Sequence, residues 1–300
     1  MLKIAFHENY DHPLKKGHRF PMEKYDLLPK QLIHEGTCSE ENFFKPRKVN
    51  DEDVLRAHTS EYLQKLKTLT LSKSEIRVTG FPLSQELVDR ELVITQGTID
   101  ASLYALEYGI AMNIAGGTHH AYSTHGEAFC LLNDQAVAAS YMLSHQKASK
   151  ILIVDLDVHQ GNGTAEIFKN HKDVFTFSMH GEKNYPFDKE ISDLDIGLPN
   201  DINDEEYLEI LYKTLPKLIE DEKPDFIYYL CGVDILATDK LGKLACTLEG
   251  CKKRDEFVLK LCVENKIPVM CSMGGGYSPD IKIIIEAHAN TFRVATELIE

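Results

Sequence analysis

Five short stretches of this 300-residue chain carry ionisable or hydroxylated side chains at spacings that can support catalysis. They are GGTHHA with His119 and His120, DLDVHQGNG with Asp155, Asp157, His159 and Asn162, SMHGEKNYPF beginning at Ser178, GVD ending at Asp234, and MGGGY ending at Tyr277. Asp157, His159 and Asp234 can offer two carboxylate oxygens and one imidazole nitrogen to a divalent ion. Three protein donors leave a coordination position open, and a mixed nitrogen and oxygen set suits zinc. Alternate residues of an extended segment share a side, so Asp157 and His159 can face one ion together. Asp155 has the same parity and can instead orient a nearby histidine. Zinc lowers the pKa of a bound water to about 7, which makes hydroxide available near neutrality. A histidine of the His119–His120 pair can take that water's proton and pass it to a leaving amine. Tyr277, on a run of glycines, can donate to an oxyanion forming opposite the metal. These parts fit the hydrolysis of an amide. Each motif alone also has a plainer reading, since glycine pairs make turns and a lone His or Asp can simply cap a strand end. Asp-x-Asp-x-His resists that reading, because buried carboxylates are costly without a cation or hydrogen bonds.

Each of these stretches follows a candidate strand. The strands are expected at Leu2–Phe6, Ala111–Ala115, Lys150–Asp155, Val174–Ser178, Asp225–Cys231 and Pro268–Ser272. Cores such as ILIVD and FIYYL are nearly continuous apolar runs, which is how a parallel strand buried on both faces reads. Helical patterns lie at Ser84–Tyr108, Asn133–His145, Asp204–Glu220, Thr247–Glu264 and Asp280–Leu298, with Ser84 and Asp204 as candidate caps. Alternating strands and helices predict a parallel sheet covered on both sides. Ligands of such sheets bind beyond the carboxyl ends of the strands, where the five motifs fall. No linker, composition break or repeat divides residues 1–300, so one α/β domain is expected, with a more irregular helical segment up to about Gly80 packed on the sheet.

Composition narrows the function. Hydrophobic residues make up 43% of the chain, enough for a large core. No apolar run reaches the ~18–20 residues that span a bilayer, and MLKIAFHENYDH lacks the features of a signal peptide. Seven scattered cysteines read as reduced, buried thiols in the cytosol. With 33 basic against 47 acidic residues the net charge is −14, and KKGHR and KKR are too short for a nucleic-acid footprint. An acidic surface fits a cationic substrate and fits solubility equally.

In order along the chain, GGTHHA, GEAFCLLND, DLDVHQGNG, GVD and GGGY resemble the signature stretches of the histone deacetylase family. The resemblance covers Phe81 to Tyr277, with weaker agreement in HRFPMEKY at His18–Tyr25. QGNG, FPLSQELVDR and GTIDASLYALEYGIAMN are similar to the class IV branch. The resemblance implies a three-layer arginase/deacetylase fold with a mostly parallel central sheet. It implies zinc on Asp157, His159 and Asp234, with His120 as general base and acid and His119 as its electrostatic partner. Tyr277 would then polarise the acyl carbonyl. Phe129, Tyr185 and Gly275 would line the acyl-lysine channel, with Cys130 near its floor and Tyr185 where many relatives carry Phe. A structural potassium ion would engage Asp155 and Ser178 with the carbonyls of Asp157, His159 and Met179. Arg19 is aligned with an arginine on an internal exit path.

Two departures from the class I pattern stand out. Asn162 sits where those enzymes carry an aspartate behind the second histidine, which lowers the proton affinity expected of His120. Gln160 replaces a further histidine. His180 is near enough to the site for a supporting contact, whereas His7, His12, His34, His58, His125, His145, His171 and His288 read as surface or packing. The resulting expectation is a zinc-dependent deacylase acting on acetylated or longer-chain acyl-lysine peptides. Rival readings are an acetylpolyamine amidohydrolase, a two-manganese ureohydrolase of arginase type, which needs aspartates this chain lacks after His159, and a non-catalytic acyl-lysine reader.

Overall fold

The apolar runs pair with one another into one sheet, because a strand apolar on both sides is stable only between neighbours and beneath helices. The computed structural model describes residues 1–299. Eight strands form the sheet: β1 (Lys3–Ala5), β2 (Phe43–Phe44), β3 (Ile110–Asn113), β4 (Ile151–Asp155), β5 (Val174–Gly181), β6 (Leu194–Leu198), β7 (Phe226–Leu230) and β8 (Val269–Ser272). Their order is β2-β1-β3-β8-β7-β4-β5-β6, and every neighbouring pair is parallel. The helices are α1 (Lys24–His34), α2 (Asp51–Val54), α3 (Ser60–Lys67), α4 (Lys73–Thr79), α5 (Gln85–Tyr108), α6 (Asp134–Ser144), α7 (Asn162–Phe168), α8 (Asp204–Glu222), α9 (Leu248–Glu264) and α10 (Ile281–Ile299). Helix α5 lies on β1, β3 and β8 beside α6, while α1, α10, α9 and α8 pack side by side as a second layer.

All six expected strands and five expected helices form, with ends shifted by at most three residues. Strands β2 and β6 were not expected. They are the two edges of the sheet, one two residues long and the other half-exposed, so neither carries a continuous apolar run. Pairing with β6 also extends β5 three residues beyond Ser178, to Gly181. Ser84 caps α5 as expected, its hydroxyl accepting from the Leu87 amide at 3.2 Å. For α8 the cap is Asn203 rather than Asp204. Asn203 and Glu206 satisfy each other's backbone amides, the reciprocal arrangement that closes a helix start.

The consequence for function is positional. The strands that precede the five motifs, β3, β8, β7, β4 and β5, are consecutive neighbours in the sheet. Register sets their ends level: Asn113 and Leu230 both pair with Ser272, and Asp155 pairs with Leu230 and Ser178. The loops after these strands, carrying His119, His120, Asp157, His159, Asp234 and Tyr277, therefore emerge on one rim.

Candidate active site

Asp157 and His159 leave the end of β4, and Asp234 follows β7, its direct neighbour. One donor atom from each lies within 4.8 Å of the others, and all three side chains are buried. His159 Nδ1 stands 3.0 Å from Asp157 Oδ1 and 3.1 Å from Asp234 Oδ2. Backbone amides orient the carboxylates: Gly275 N donates to Asp157 Oδ2 at 2.8 Å and Val158 N to Asp234 Oδ1 at 3.0 Å. Gly275 is required for its size. A Cβ there would lie 2.0 Å from Asp234 Oδ2 and 2.9 Å from Asp157 Oδ2.

The electrostatics of this trio ask for a cation. Burial and the Asp157 charge push the Asp234 carboxyl up to about 7. Against the burial that lowers it, Asp157 and Asp234 hold the His159 imidazole up to about 10. Two carboxylates and an imidazole so arranged fit a zinc ion, which would replace that proton. A zinc ion bound here is therefore expected to displace at least one proton near neutral pH, from His159 and in part from Asp234, and to bind more tightly as pH rises toward 10. Calorimetry in buffers of different ionisation enthalpy counts that proton. A count of zero would contradict this ligand set.

Beside the trio stand the two histidines of the loop after β3, with ring centroids 4.1 Å apart. His119 Nδ1 is 2.7 Å from Asp155 Oδ2, and His120 Nδ1 is 2.6 Å from Asn162 Oδ1. The two pairings differ in effect. Burial opposes a charge on His119, but Asp155 and Asp157 raise its proton affinity. Burial drives His120 well below the ordinary histidine value, with help from His119 and His159, and the amide of Asn162 only partly offsets this. Asp155 thus orients a histidine, and Asn162 stands behind the other, in the place the family resemblance implies. Ser178, level with Asp155 on β5, bonds His180 Nδ1 at 2.9 Å, and burial holds His180 down to about 4. Met179 is buried beside it.

Tyr277 closes the far side. Its ring lies 6.4 Å from that of His159 and 6.0 Å from those of Phe20 and Phe129. Its amide is fixed by Asp239 Oδ2 at 2.6 Å, a carboxylate that also accepts from Leu241 and Gly242. Burial and then Asp234 and Asp157 push the phenol well above its usual value, so it remains a donor. An outer channel bounded by Phe129, Tyr185, Phe187 and Tyr277 leads to His120 and His159. An inner chamber continues past them, walled by Phe20, Tyr25, Arg90, Ile94, Cys130 and Gly275.

A sequence model of the histone deacetylase domain matches residues 18–292. The chain belongs to the histone deacetylase family. An uncharacterized protein of Picosynechococcus sp. is 41% identical over 98% of both chains. Histone deacetylase 2 of Arabidopsis thaliana is 29% identical over 97% of this chain and 79% of its own length. For human Histone deacetylase 1 the identity is 27% over 88% of this chain, which spans 58% of the human protein. The crystal structure of the HDA15 HD domain superposes with a TM-score of 0.85 at 21% identity, covering 99% of this chain and 88% of that one, and so shares its fold. The histone deacetylase fold expected from the sequence is the one observed, with a sheet that is wholly parallel.

Against that family frame one residue must be reassigned. Arg19 does not line an internal path: it is exposed at the channel mouth, its guanidinium 5.1 Å from the Phe129 ring centroid. The arginine on the inner chamber is Arg90 of α5, whose Nε donates to Tyr10 O at 2.7 Å and which pairs with Glu91. Reasoning from the strand ends also passed over residues that hold the loops in place. Asp134, at the start of α6, accepts from the amide and hydroxyl of Thr118 and from Thr98 and Ser272, binding the histidine loop to α5 and β8. Lys24 is fully buried and donates to Gly274 O at 3.0 Å; burial pulls it down to about 8 although Asp234 and Asp157 favour its charge. Its place within HRFPMEKY was the available signal, since a lysine amid Phe, Met and Tyr needs a partner to be buried.

Proposed function

We propose that this chain is a zinc-dependent deacylase that hydrolyses N-acyl-lysine amides to a free amine and a carboxylate. The reading rests on one observation: the Asp157–His159–Asp234 trio, the His119–His120 pair and Tyr277 converge at the inner end of an aromatic-walled channel. Zinc held by the trio would polarise the acyl carbonyl and supply hydroxide near neutral pH. His120, neutral because it is buried beside two other histidines, accepts the proton and returns it to the departing amine. His119, tied to Asp155, carries the compensating charge. Tyr277 donates to the oxygen where charge develops. Phe129, Cys130, Tyr185 and Gly275 shape the passage for the extended acyl-lysine side chain, and a potassium ion near Asp155, Asp157, His159, Ser178 and Met179 would stiffen the end of β4.

Class IV is the branch we assign, on QGNG, on Asn162 behind His120, and on the FPLSQELVDR and GTIDASLYALEYGIAMN segments. Arg19, Lys183 and Lys243 surround the channel mouth. A basic entrance repels a free polyamine, so an acylated lysine within a peptide is the favoured substrate. The class IV resemblance extends the reading to acyl groups longer than acetyl. A reducing compartment, the cytoplasm, accords with seven free and buried cysteines. Among the described residues no helix is long and apolar enough to cross a membrane.

The test is a kinetic comparison of acetyl-, octanoyl- and myristoyl-lysine forms of one peptide, with acetylputrescine as competitor and zinc-loaded protein. Turnover is expected on the peptides, rising with chain length, with weak competition from the polyamine. Inert peptides would overturn the deacylase reading, and preferential cleavage of acetylputrescine would move the substrate to small amines.

A further inference from the structure

Asn162 can work behind His120 only if its amide faces the right way. An asparagine presents an acceptor on one side and a donor on the other, and the two are nearly equal in shape. With Oδ1 toward the ring, His120 carries its proton on Nδ1, leaving Nε2 with a lone pair. Turned over, the amide NH2 would face Nδ1, move the ring proton to Nε2 and leave no base. An aspartate in this place would need no such orientation, because both of its oxygens accept.

The groups on the other side of the amide decide the question. Asn162 Nδ2 donates to Tyr122 Oη at 3.1 Å and to Glu127 Oε2 at 3.3 Å. The Tyr122 hydroxyl donates to Glu190 Oε1 only across 3.5 Å, so it can turn to donate instead and constrains the amide's direction weakly. A carboxylate only accepts, so Glu127 can be satisfied by the NH2 end alone. The same Oε2 receives the Tyr185 hydroxyl from the channel wall, and Oε1 lies 3.4 Å from His125 Nε2. Glu127 is itself half-buried at the rim, with its side chain 21% exposed. The hydrogen bonds run in one direction: His120 Nδ1–H to Asn162 Oδ1, and Asn162 Nδ2–H to Glu127.

From this arrangement we infer that Glu127 is a positioning residue that sets the tautomer of His120 through Asn162, restoring at one remove the carboxylate the site lacks. The inference deepens the deacylase reading and rests on His120 being its base. Glu127 lines neither the outer channel nor the inner chamber, and its side-chain bonds go to Asn162, Tyr185 and His125 rather than to the trio of donors. Its effect is to keep Nε2 unprotonated and facing the reaction. Tyr185, bound to the same oxygen, links the channel wall to that setting.

The experiment uses the full chain loaded with zinc, with 15N-labelled histidine rings and the His120 signals assigned against His120→Ala. The wild-type ring is expected in the Nδ1–H form. Glu127→Gln, which can donate as well as accept, is expected to give a mixture of the two tautomers and to lower kcat/KM by about 10–100-fold. Adding Asn162→Asp to Glu127→Gln is expected to return the ring to the Nδ1–H form and recover most of the rate. Asn162→Asp alone would set two carboxylates against each other and gain nothing. A wild-type tautomer in Glu127→Gln, or a double variant slower than Glu127→Gln alone, would overturn the proposal. If no amide is cleaved by any form, the deacylase reading fails, and the ring spectra still decide the role of Glu127.

Discussion

Tyr277→Phe is expected to keep its zinc and lose about 10²–10³-fold in kcat, the usual effect of removing one donor to a developing oxyanion. The ring has reason to stay in place. Phe20, Phe129 and His159 surround it, and its backbone is fixed through Asp239 rather than through the phenol. The substitution therefore removes a donor that its surroundings hold protonated at every working pH. Asp157→Ala is the contrasting variant. Its carboxylate accepts from the Gly275 and His159 amides and faces His159 Nδ1, so its loss should release the metal together with the activity. Atomic absorption and initial rates on both variants make the comparison. Unchanged kcat in Tyr277→Phe would remove the tyrosine from the chemistry, and a chain that only reads acyl-lysine would show no turnover to lose.

Arg254→Met is expected to cost about 3–5 kcal/mol of stability, because it strands a charge in the core. Arg254 is fully buried on α9 and pairs with Asp255, which also accepts from Thr291 at 2.7 Å. Its guanidinium reaches the carbonyls of Leu156 at 3.2 Å, Gly232 at 2.6 Å and Cys231 at 3.3 Å. Those carbonyls belong to the loops after β4 and β7 that carry Asp157 and Asp234. One side chain thus fixes the separation of the two carboxylates of the trio. Lysine offers a single point of charge and cannot serve three carbonyls and an aspartate with the same geometry. Denaturant unfolding and zinc titration of the variant should show both a lower midpoint and weaker metal binding. Full stability with normal zinc affinity would refute this role.

Arg254 also shows where sequence reading falls short. In KKR it looks like part of a small basic patch, yet Lys253 is exposed while Arg254 is buried. The helical phase held the clue: Cys251, Arg254, Asp255, Val258, Leu259 and Cys262 all lie on the inward face. An adjacent Arg–Asp pair on an apolar stripe can neutralise itself inside the core, which a count of charges does not reveal. The central strands were legible because burial on both faces leaves an unbroken apolar run, as in ILIVD and FIYYL. The edge strands lack that pressure and left no such trace. The site was legible through Asp-x-Asp-x-His, since three ionisable groups at a strand end have no purely structural economy. Its supports were not. Lys24, Glu127 and Asp134 work by meeting residues far away in the chain, and neither residue type nor spacing announces such meetings.

The bond from Lys24 to the Gly274 carbonyl joins positions 250 residues apart. Because β8 and β7 lie between β3 and β4 in the sheet, the histidine loop made early on the ribosome cannot meet Asp157 and His159 until those two strands, the last to be made, have been added. At a synthesis rate of about 5–20 residues per second, that interval lasts on the order of ten seconds or more. During it the half-built pocket displays carboxylates without their full cradle. Chemical competence is therefore a late, all-at-once event in the life of the molecule, reached only when its two distant segments close on each other.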